Sequence, residues 1–219
     1  MDPVVLLAKT DFFESFTHDE LASLAAQATR IDLIRGDVVF AEGAEPDRLF
    51  VVLSGRIAIA NRSVDGRESV MALMESGDLF GEMGRLDGLP RSAEARALEA
   101  SEVLSIGYSP VKAVLEQAPE RLWGVVRMLA GRLRTTDEAL ADSVFLDVTG
   151  RTAKRLLELA GESNEFVLPV TQEELAGMVG ASRERVNKAI ASFIRLGWIE
   201  QSDRRYRIVQ RDRLALRSR

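Results

Sequence analysis

Phe80-Gly-Glu-Met-Gly-Arg-Leu-Asp-Gly-Leu-Pro-Arg-Ser-Ala93 is the stretch on which the fold turns. Short apolar runs lead up to it: Val38–Phe40, Leu49–Leu53, Ile57–Ile59 and Ser69–Leu73. Another, Val103–Ile106, follows it. Gly36-Asp37, Glu42-Gly43, Ser54-Gly55, Asp65-Gly66 and Ser76-Gly77 punctuate them. Strands at near-regular spacing between turn residues predict a β-barrel or β-roll, and Asp65-Gly66 predicts a hairpin. Inside the stretch, Gly81 and Gly84 permit close backbone approach and unusual φ angles. Main-chain N–H groups at a short helix start can face an anion. Arg91 offers a planar fork suited to a phosphate, and Ser92 adds a hydroxyl and its own N–H. Glu82 cannot face that anion, but it can accept hydrogen bonds from sugar hydroxyls. An Arg for phosphate and a Glu for ribose on one Gly-rich loop describe a site for a nucleotide monoester.

Outward from this loop the patterns change. On the N-terminal side, Phe12, Phe13, Phe16, Leu21 and Leu24 fall at near-helical spacing, so residues 10–28 read as short helices. On the C-terminal side, Pro119 suits the first turn of a long helix. Leu122, Val126, Leu129, Leu133, Thr136 and Leu140 then recur in alternating steps of four and three. That is a heptad seam, flanked by Arg127, Arg132, Arg134, Asp137 and Glu138, and it predicts a homodimer through a two-stranded coiled coil. Asp147-Val-Thr-Gly150 breaks the pattern and reads as a hinge.

A second motif runs from Thr171 to Lys188. Thr171 with Glu174 fits a capping box, and Leu175, Met178 and Val179 supply the apolar face of a helix. Gly180 stands where the chain needs a left-handed turn, and Ser182 can cap a second helix from Arg183 to about Ile194. This is the pattern of a helix-turn-helix, whose second helix enters the major groove of double-stranded DNA by its N-terminal residues. Arg183 can bond a guanine edge, Glu184 can accept from a cytosine amino group, and Lys188 reaches a guanine or a phosphate. Arg185 and Asn187 lie on the same head. Thr171 and Gln172 are expected on the DNA backbone, which positions without reading sequence. Gly197–Val209 reads as a β-hairpin wing, with Arg204, Arg205 and Arg207 as candidate phosphate contacts.

The balance of charge fits this division. The net charge is −5, but residues 150–219 hold 14 Lys and Arg against 9 Asp and Glu, and residues 1–149 hold 15 against 25. A basic C-terminal part on an acidic chain matches nucleic-acid contact through that part alone. A chain of 219 residues with 46% hydrophobic and 29% charged residues can build two cores of ordinary size. No stretch approaches the roughly 18 uninterrupted apolar residues of a membrane helix. Met1-Asp-Pro-Val-Val-Leu-Leu7 lacks the basic start of a secretory signal, so a cytoplasmic protein without membrane contact is expected. With no cysteine, disulfides, thiolate catalysis, iron–sulfur clusters and Cys-type zinc sites are excluded. His18 stands alone, which leaves no metal constellation and no nucleophile–base pair, and no enzymatic activity is expected. A cupin-type barrel enzyme would need several His and carboxylate ligands.

The stretch Phe80–Ala93 resembles the phosphate-binding cassette of cyclic-nucleotide-binding domains, and Gly36–Gly43 and Leu49–Gly55 resemble that domain's repeated glycine pattern. Over residues 10–210 the chain is similar to the cyclic-AMP receptor protein / fumarate–nitrate regulator family of bacterial transcription factors. The likeness is strongest at Phe80–Ala93, at Phe145-Leu-Asp-Val-Thr-Gly-Arg151 and at Gln172–Lys188. The lack of cluster cysteines sets it nearer the cyclic-AMP receptor branch. The resemblance implies an α+β protein with a jelly-roll-like cyclic-nucleotide-binding β-roll at residues 1–117. A dimerisation helix at 118–146 and a winged helix-turn-helix at 147–219 would follow.

It further implies that Gly81 and Glu82 hold the ribose 2′-hydroxyl, that Arg91 and Ser92 hold the cyclic phosphate, and that Met83 lines the pocket with its backbone near the ligand. Ser92 leans toward cyclic AMP as allosteric ligand. At the family's adenine contact this chain has Thr136-Asp137 in place of Thr followed by Ser or Asn. Another effector, such as cyclic GMP or a cyclic dinucleotide, or DNA binding without ligand, is the alternative that this departure raises. Arg185 and Lys188 stand where the family's best-known pattern has Thr and Arg, so the expected operator is similar to a TGTGA-type palindrome. RNA polymerase is the further partner implied.

Overall fold

The structure is a computed structural model that describes residues 2–62 and 68–219. The hairpin signal at Asp65-Gly66 lies outside the described residues. Two compact units form. One comprises residues 1–61 and 71–134, the other residues 62–70 and 135–219.

The first unit begins with helix α1 (Pro3–Leu7), a 3-10 turn at Asp11–Phe13 and helix α2 (His18–Gln27). Thr17 and Glu20 close a capping box at the start of α2, and His18 is exposed in its first turn. Among the described residues eight strands follow: β1 (Thr29–Leu33), β2 (Val38–Phe40), β3 (Arg48–Ser54), β4 (Ile57–Arg62), β5 (Glu68–Met74), β6 (Leu79–Phe80), β7 (Glu94–Ala97) and β8 (Ser101–Gly107). The short helix α3 (Met83–Asp87) lies between β6 and β7. The strands make two four-stranded sheets, ordered β1-β8-β3-β6 and β2-β7-β4-β5. The α+β fold class with an N-terminal β-roll holds, and each apolar run quoted above falls in a strand.

Strand β3 explains why Leu49–Leu53 is an unbroken apolar run rather than an alternating one: all five residues are buried. Leu49, Val51 and Leu53 join a core with Phe12, Phe13 and Leu24, while Phe50 and Val52 face the interior of the roll. Burial of each such side chain stabilises by about 1.5–3 kcal/mol. Gly55 takes φ +78, and a Cβ there would meet the Ala100 carbonyl oxygen at 2.5 Å, so the Ser54-Gly55 turn admits only glycine.

Helix α4 (Tyr108–Gln117), which the sequence reading did not foresee, leads to a 3-10 turn at Pro119–Arg121 and then to α5 (Leu122–Phe145). Val125 and Met128 of α5 are buried in the first unit's core. The heptad positions stay on the open face: Leu122, Val126, Leu129, Leu133 and Leu140 are all exposed, and so is Thr136.

The second unit holds α6 (Val148–Ala160), β9 (Glu165–Val167), α7 (Gln172–Val179), α8 (Arg183–Arg195), β10 (Ile199–Ser202), β11 (Arg205–Ile208) and α9 (Arg211–Arg217). Three strands pair in the order β10-β11-β9. Leu156, Leu175, Val186, Phe193, Tyr206 and Leu214 form its buried interior. The expected hinge at Asp147–Gly150 needs correction. The break is confined to Leu146-Asp147, because Asp147 caps α6 and Val148–Gly150 already form its first turn. Gly150 has an ordinary helical φ and fits closely against α9: a Cβ there would lie 3.0 Å from the Arg217 carbonyl oxygen, a tight contact. Among the described residues, no helix is long and apolar enough to cross a membrane.

Candidate functional site

The loop after β6 turns sharply because Gly81 adopts φ +81. Glu82 then starts α3 and points inward, only 1% exposed. A buried carboxylate needs a partner. It accepts a hydrogen bond from Arg132 Nη1 of α5, and Arg132 Nη2 donates to the Leu79 carbonyl. Gly84 is pinned by contact: a Cβ there would meet the Leu89 carbonyl oxygen at 2.4 Å.

Arg91 is 5% exposed, an unusual depth for a guanidinium. Its Nη2 donates to the Arg48 carbonyl at 2.7 Å and its Nη1 to the Gly81 carbonyl. The guanidinium lies 4.2 Å from the Phe40 ring centroid, and Phe40, Phe50 and Phe80 are mutual neighbours at 5.3–6.0 Å. Desolvation in this aromatic setting lowers the Arg91 pKa, and the Asp47 and Glu82 carboxylates oppose it. The group stays charged, since arginine starts far above neutrality. Its Nε is buried with no acceptor. An orphan donor on a buried cation is costly unless an acceptor reaches it.

Glu82 and Arg91 therefore stand in one neighbourhood, with the Gly81 carbonyl between them accepting from Arg91. The remaining cassette residues differ in exposure. Ser92 is exposed, and Met83 is half exposed. Thr136 and Asp137 are exposed on α5 and belong to the second unit. Arg132 was read as a flank of the heptad seam, and its role beside Glu82 was missed. The signal lay in its position, one helical turn before Thr136.

The helix-turn-helix forms as read. Thr171 and Glu174 close the capping box at the start of α7, and Gly180 ends the helix at φ +66. Ser182 caps α8 by accepting from the Arg185 N–H. Helix α8 turns Val186, Ala189, Ile190 and Phe193 inward. Arg183, Glu184, Arg185, Asn187 and Lys188 are left exposed. Glu184 and Lys188 pair at 2.6 Å across one turn, and that bond lowers the Glu184 pKa. Gln172 is half-buried, and its Nε2 donates to the Tyr206 hydroxyl at 2.9 Å, so its side chain packs toward the wing. The Thr171 hydroxyl is engaged by the Glu174 N–H.

The wing is the β10–β11 hairpin, turning at Asp203 with φ 53. Of its three arginines, Arg205 is exposed, and Arg207 pairs with Glu200 at 3.3 Å and Glu165 at 3.6 Å. Arg204 is exposed, and its Nη2 donates to the Leu168 carbonyl at 2.8 Å, which ties it to the strand side of the wing. No group of three His, Cys, Asp or Glu able to hold a metal occurs among the described residues.

Comparison with known proteins agrees in both halves. Residues 30–118 match the family described as cyclic nucleotide-binding domain, and residues 150–217 match the Crp-like helix-turn-helix domain. The chain is 38% identical over 221 residues to the CRP-like cAMP-activated global transcriptional regulator of Mycobacterium tuberculosis, covering 98% of this chain and 99% of that protein. It is 33% identical over 175 residues to the cAMP-activated global transcriptional regulator Vfr of Pseudomonas aeruginosa, covering 75% and 81%. Among solved structures, FixK2 from Bradyrhizobium japonicum shares the fold at TM-score 0.80 and 20% identity, covering 88% of this chain and 98% of that one. The c-di-GMP responsive global regulator CLP of Xanthomonas campestris superposes at TM-score 0.76 with 25% identity, covering 88% and 99%.

Proposed function

From the premise that this chain belongs to the cyclic-AMP receptor protein / fumarate–nitrate regulator family of transcription factors, we propose that it is a cytoplasmic, cyclic-AMP-controlled homodimer that binds palindromic DNA. The division we propose is a nucleotide-binding roll at 1–117, a dimerisation helix at 118–146 and a DNA-reading part at 147–219. The observation that carries the reading is the Arg91 guanidinium, buried beside Gly81 with an unmatched Nε donor, next to the buried carboxylate of Glu82.

In this reading Arg91 and Ser92 take the cyclic phosphate, Gly81 and Glu82 take the ribose 2′-hydroxyl, and Met83 borders the ligand. Thr136 and Asp137 meet the base. The exposed leucines of α5 support a coiled-coil contact between two copies. Arg183 and Glu184 read base edges, Lys188 reaches a guanine or a phosphate, Thr171 and Gln172 sit at the DNA backbone, and Ser182, Arg185 and Asn187 belong to the same DNA-binding head. The two reading helices of the dimer would enter successive major grooves about 34 Å apart. The protein is a regulator and not an enzyme, and RNA polymerase is the further partner of its DNA-bound form.

Ligand control requires unequal affinity of the nucleotide for two arrangements of the dimer. A coupling of about 1–3 kcal/mol changes DNA affinity roughly 5–150-fold. Titration of a TGTGA-type palindrome with and without cyclic AMP tests this, and an unchanged dissociation constant overturns it. A second reading, a cyclic dinucleotide as effector, is favoured by the carboxylate of Asp137 at the base position and by the likeness to CLP. A thermal-shift panel of cyclic nucleotides separates the two.

A further inference from the structure

The segment Phe145–Arg151 is left without a role by the pocket and by the reading helix. Helix α5 ends at Phe145, and α6 begins at Val148. One turn into α6, Arg151 sends its guanidinium in two directions. Nη1 donates to the Leu146 carbonyl at 2.7 Å, which belongs to the junction between the two helices. Nε donates to the Val179 carbonyl at 2.8 Å and Nη2 to the Gly180 carbonyl at 3.4 Å. Those two carbonyls end α7 and form the turn that launches α8.

The geometry has a physical cause. The last carbonyls of a helix lack intrahelical partners and carry partial negative charge. Gly180 leaves α7 in a left-handed conformation, so its final carbonyls open sideways toward α6. Arg155, one turn further along α6, donates to the next of these carbonyls, Met178, at 3.3 Å. Of these two arginines, Arg151 is the one that donates both to the end of α7 and to Leu146. Its planar fork can serve carbonyls on opposite sides at once, which a lysine ammonium on a flexible stem cannot do with fixed geometry. The junction is held again by Lys154 pairing with Asp142 and by Arg217 pairing with Asp147.

We propose that Arg151 is a positioning residue of the DNA-reading head: it fastens the α5–α6 junction to the turn of the helix-turn-helix, so that a displacement of Leu146 is delivered to the start of α8. The inference rests on α8 being the reading helix. It does not depend on which ligand moves the junction.

Hydrogen–deuterium exchange on the full chain tests it without nucleotide or operator. In Arg151→Lys, the amides of Leu146–Val148 and of Gly180–Ser182 are expected to exchange together, at least 5-fold faster than in the wild type. Arg155→Lys is expected to loosen only the turn. Arg151→Lys is also expected to bind a TGTGA-type palindrome about 10-fold more weakly while random duplex binding is retained. Unchanged exchange at either segment, or the same paired change in Arg155→Lys, overturns the proposal. Should Arg151→Lys fail to fold, native-state exchange of the wild type in rising urea decides. The two segments then open with one common denaturant dependence if Arg151 links them, and separate dependences refute the link. Failure of the cyclic-AMP titration would leave these results standing, so the two readings fail independently.

Discussion

Glu82 and Arg132 form an ion pair in which the carboxylate is 1% exposed and the guanidinium comes from a helix fifty residues downstream. The buried charge of Glu82, which acts on Arg91, is therefore matched by α5. Removing one partner of such a pair leaves an uncompensated buried charge. Arg132→Ala is expected to destabilise the protein by roughly 3 kcal/mol. Urea denaturation reads it as a lower midpoint, and the double variant Arg132→Met with Glu82→Gln should regain part of the loss. A midpoint equal to the wild type in Arg132→Ala would mean that the pair contributes nothing.

The same loop gives a ligand prediction. Arg91→Ala should abolish the heat of cyclic-AMP binding in titration calorimetry while circular dichroism stays unchanged. Gly81→Ala should weaken binding as well. Its φ of +81 disfavours a side chain by on the order of 1–3 kcal/mol, and the new Cβ would lie 2.8 Å from Arg91 Nη1. Unaltered affinity in both variants would contradict the pocket assignment.

The open face of α5 predicts the oligomeric state. Leu133 and Leu140 are 62% and 63% exposed, although both sit in the heptad seam. Leu133→Lys with Leu140→Lys places charges along that seam and should convert a dimer to a monomer in sedimentation equilibrium. A dimer that persists would locate the contact elsewhere.

On the reading head, Arg183→Ala should cost about 1–3 kcal/mol on the operator and less on random duplex. Equal losses on both, measured by fluorescence anisotropy at fixed salt, would reduce Arg183 to a phosphate contact.

Asp147 gives a pH signature. The Gly150 N–H that donates to its carboxylate, together with Arg217 beside it, holds its pKa below the usual carboxylate value. A depressed folded-state pKa adds stability that is present above the unfolded value and is lost as pH falls through the folded one. Asp147→Ala should thus cost about 1 kcal/mol at neutral pH, the typical worth of a helix cap. That difference should fade below the ordinary carboxylate range. A gap that stays constant into acid would show that the charge plays no part.

The sequence made the strands legible because glycine turns separate them, and it made the helix-turn-helix legible because its caps are local. What escaped it depends on partners far along the chain. Strand β9 has three residues and exists by pairing with β11. The start of α6 was hidden because Thr149 and Gly150 are weak helix formers. Capping by Asp147 and the close fit of Gly150 under Arg217 override that preference. Charge patterning marked Arg132 as a seam flank and Arg204 as a phosphate contact. The bonds they make within the chain, to Glu82 and to the Leu168 carbonyl, are set by tertiary packing that no local pattern encodes.

The bond between Arg217 and Asp147 spans seventy positions and closes the DNA-reading half into a ring broken only by one short gap. Connectivity there is interchangeable. A permuted version with these ends spliced and fresh termini cut into the exposed Gly161–Asn164 loop, on its Gly161-Glu162 side, leaves the bonds from Arg211 to Ser163 and Asn164 in place and should refold on its own.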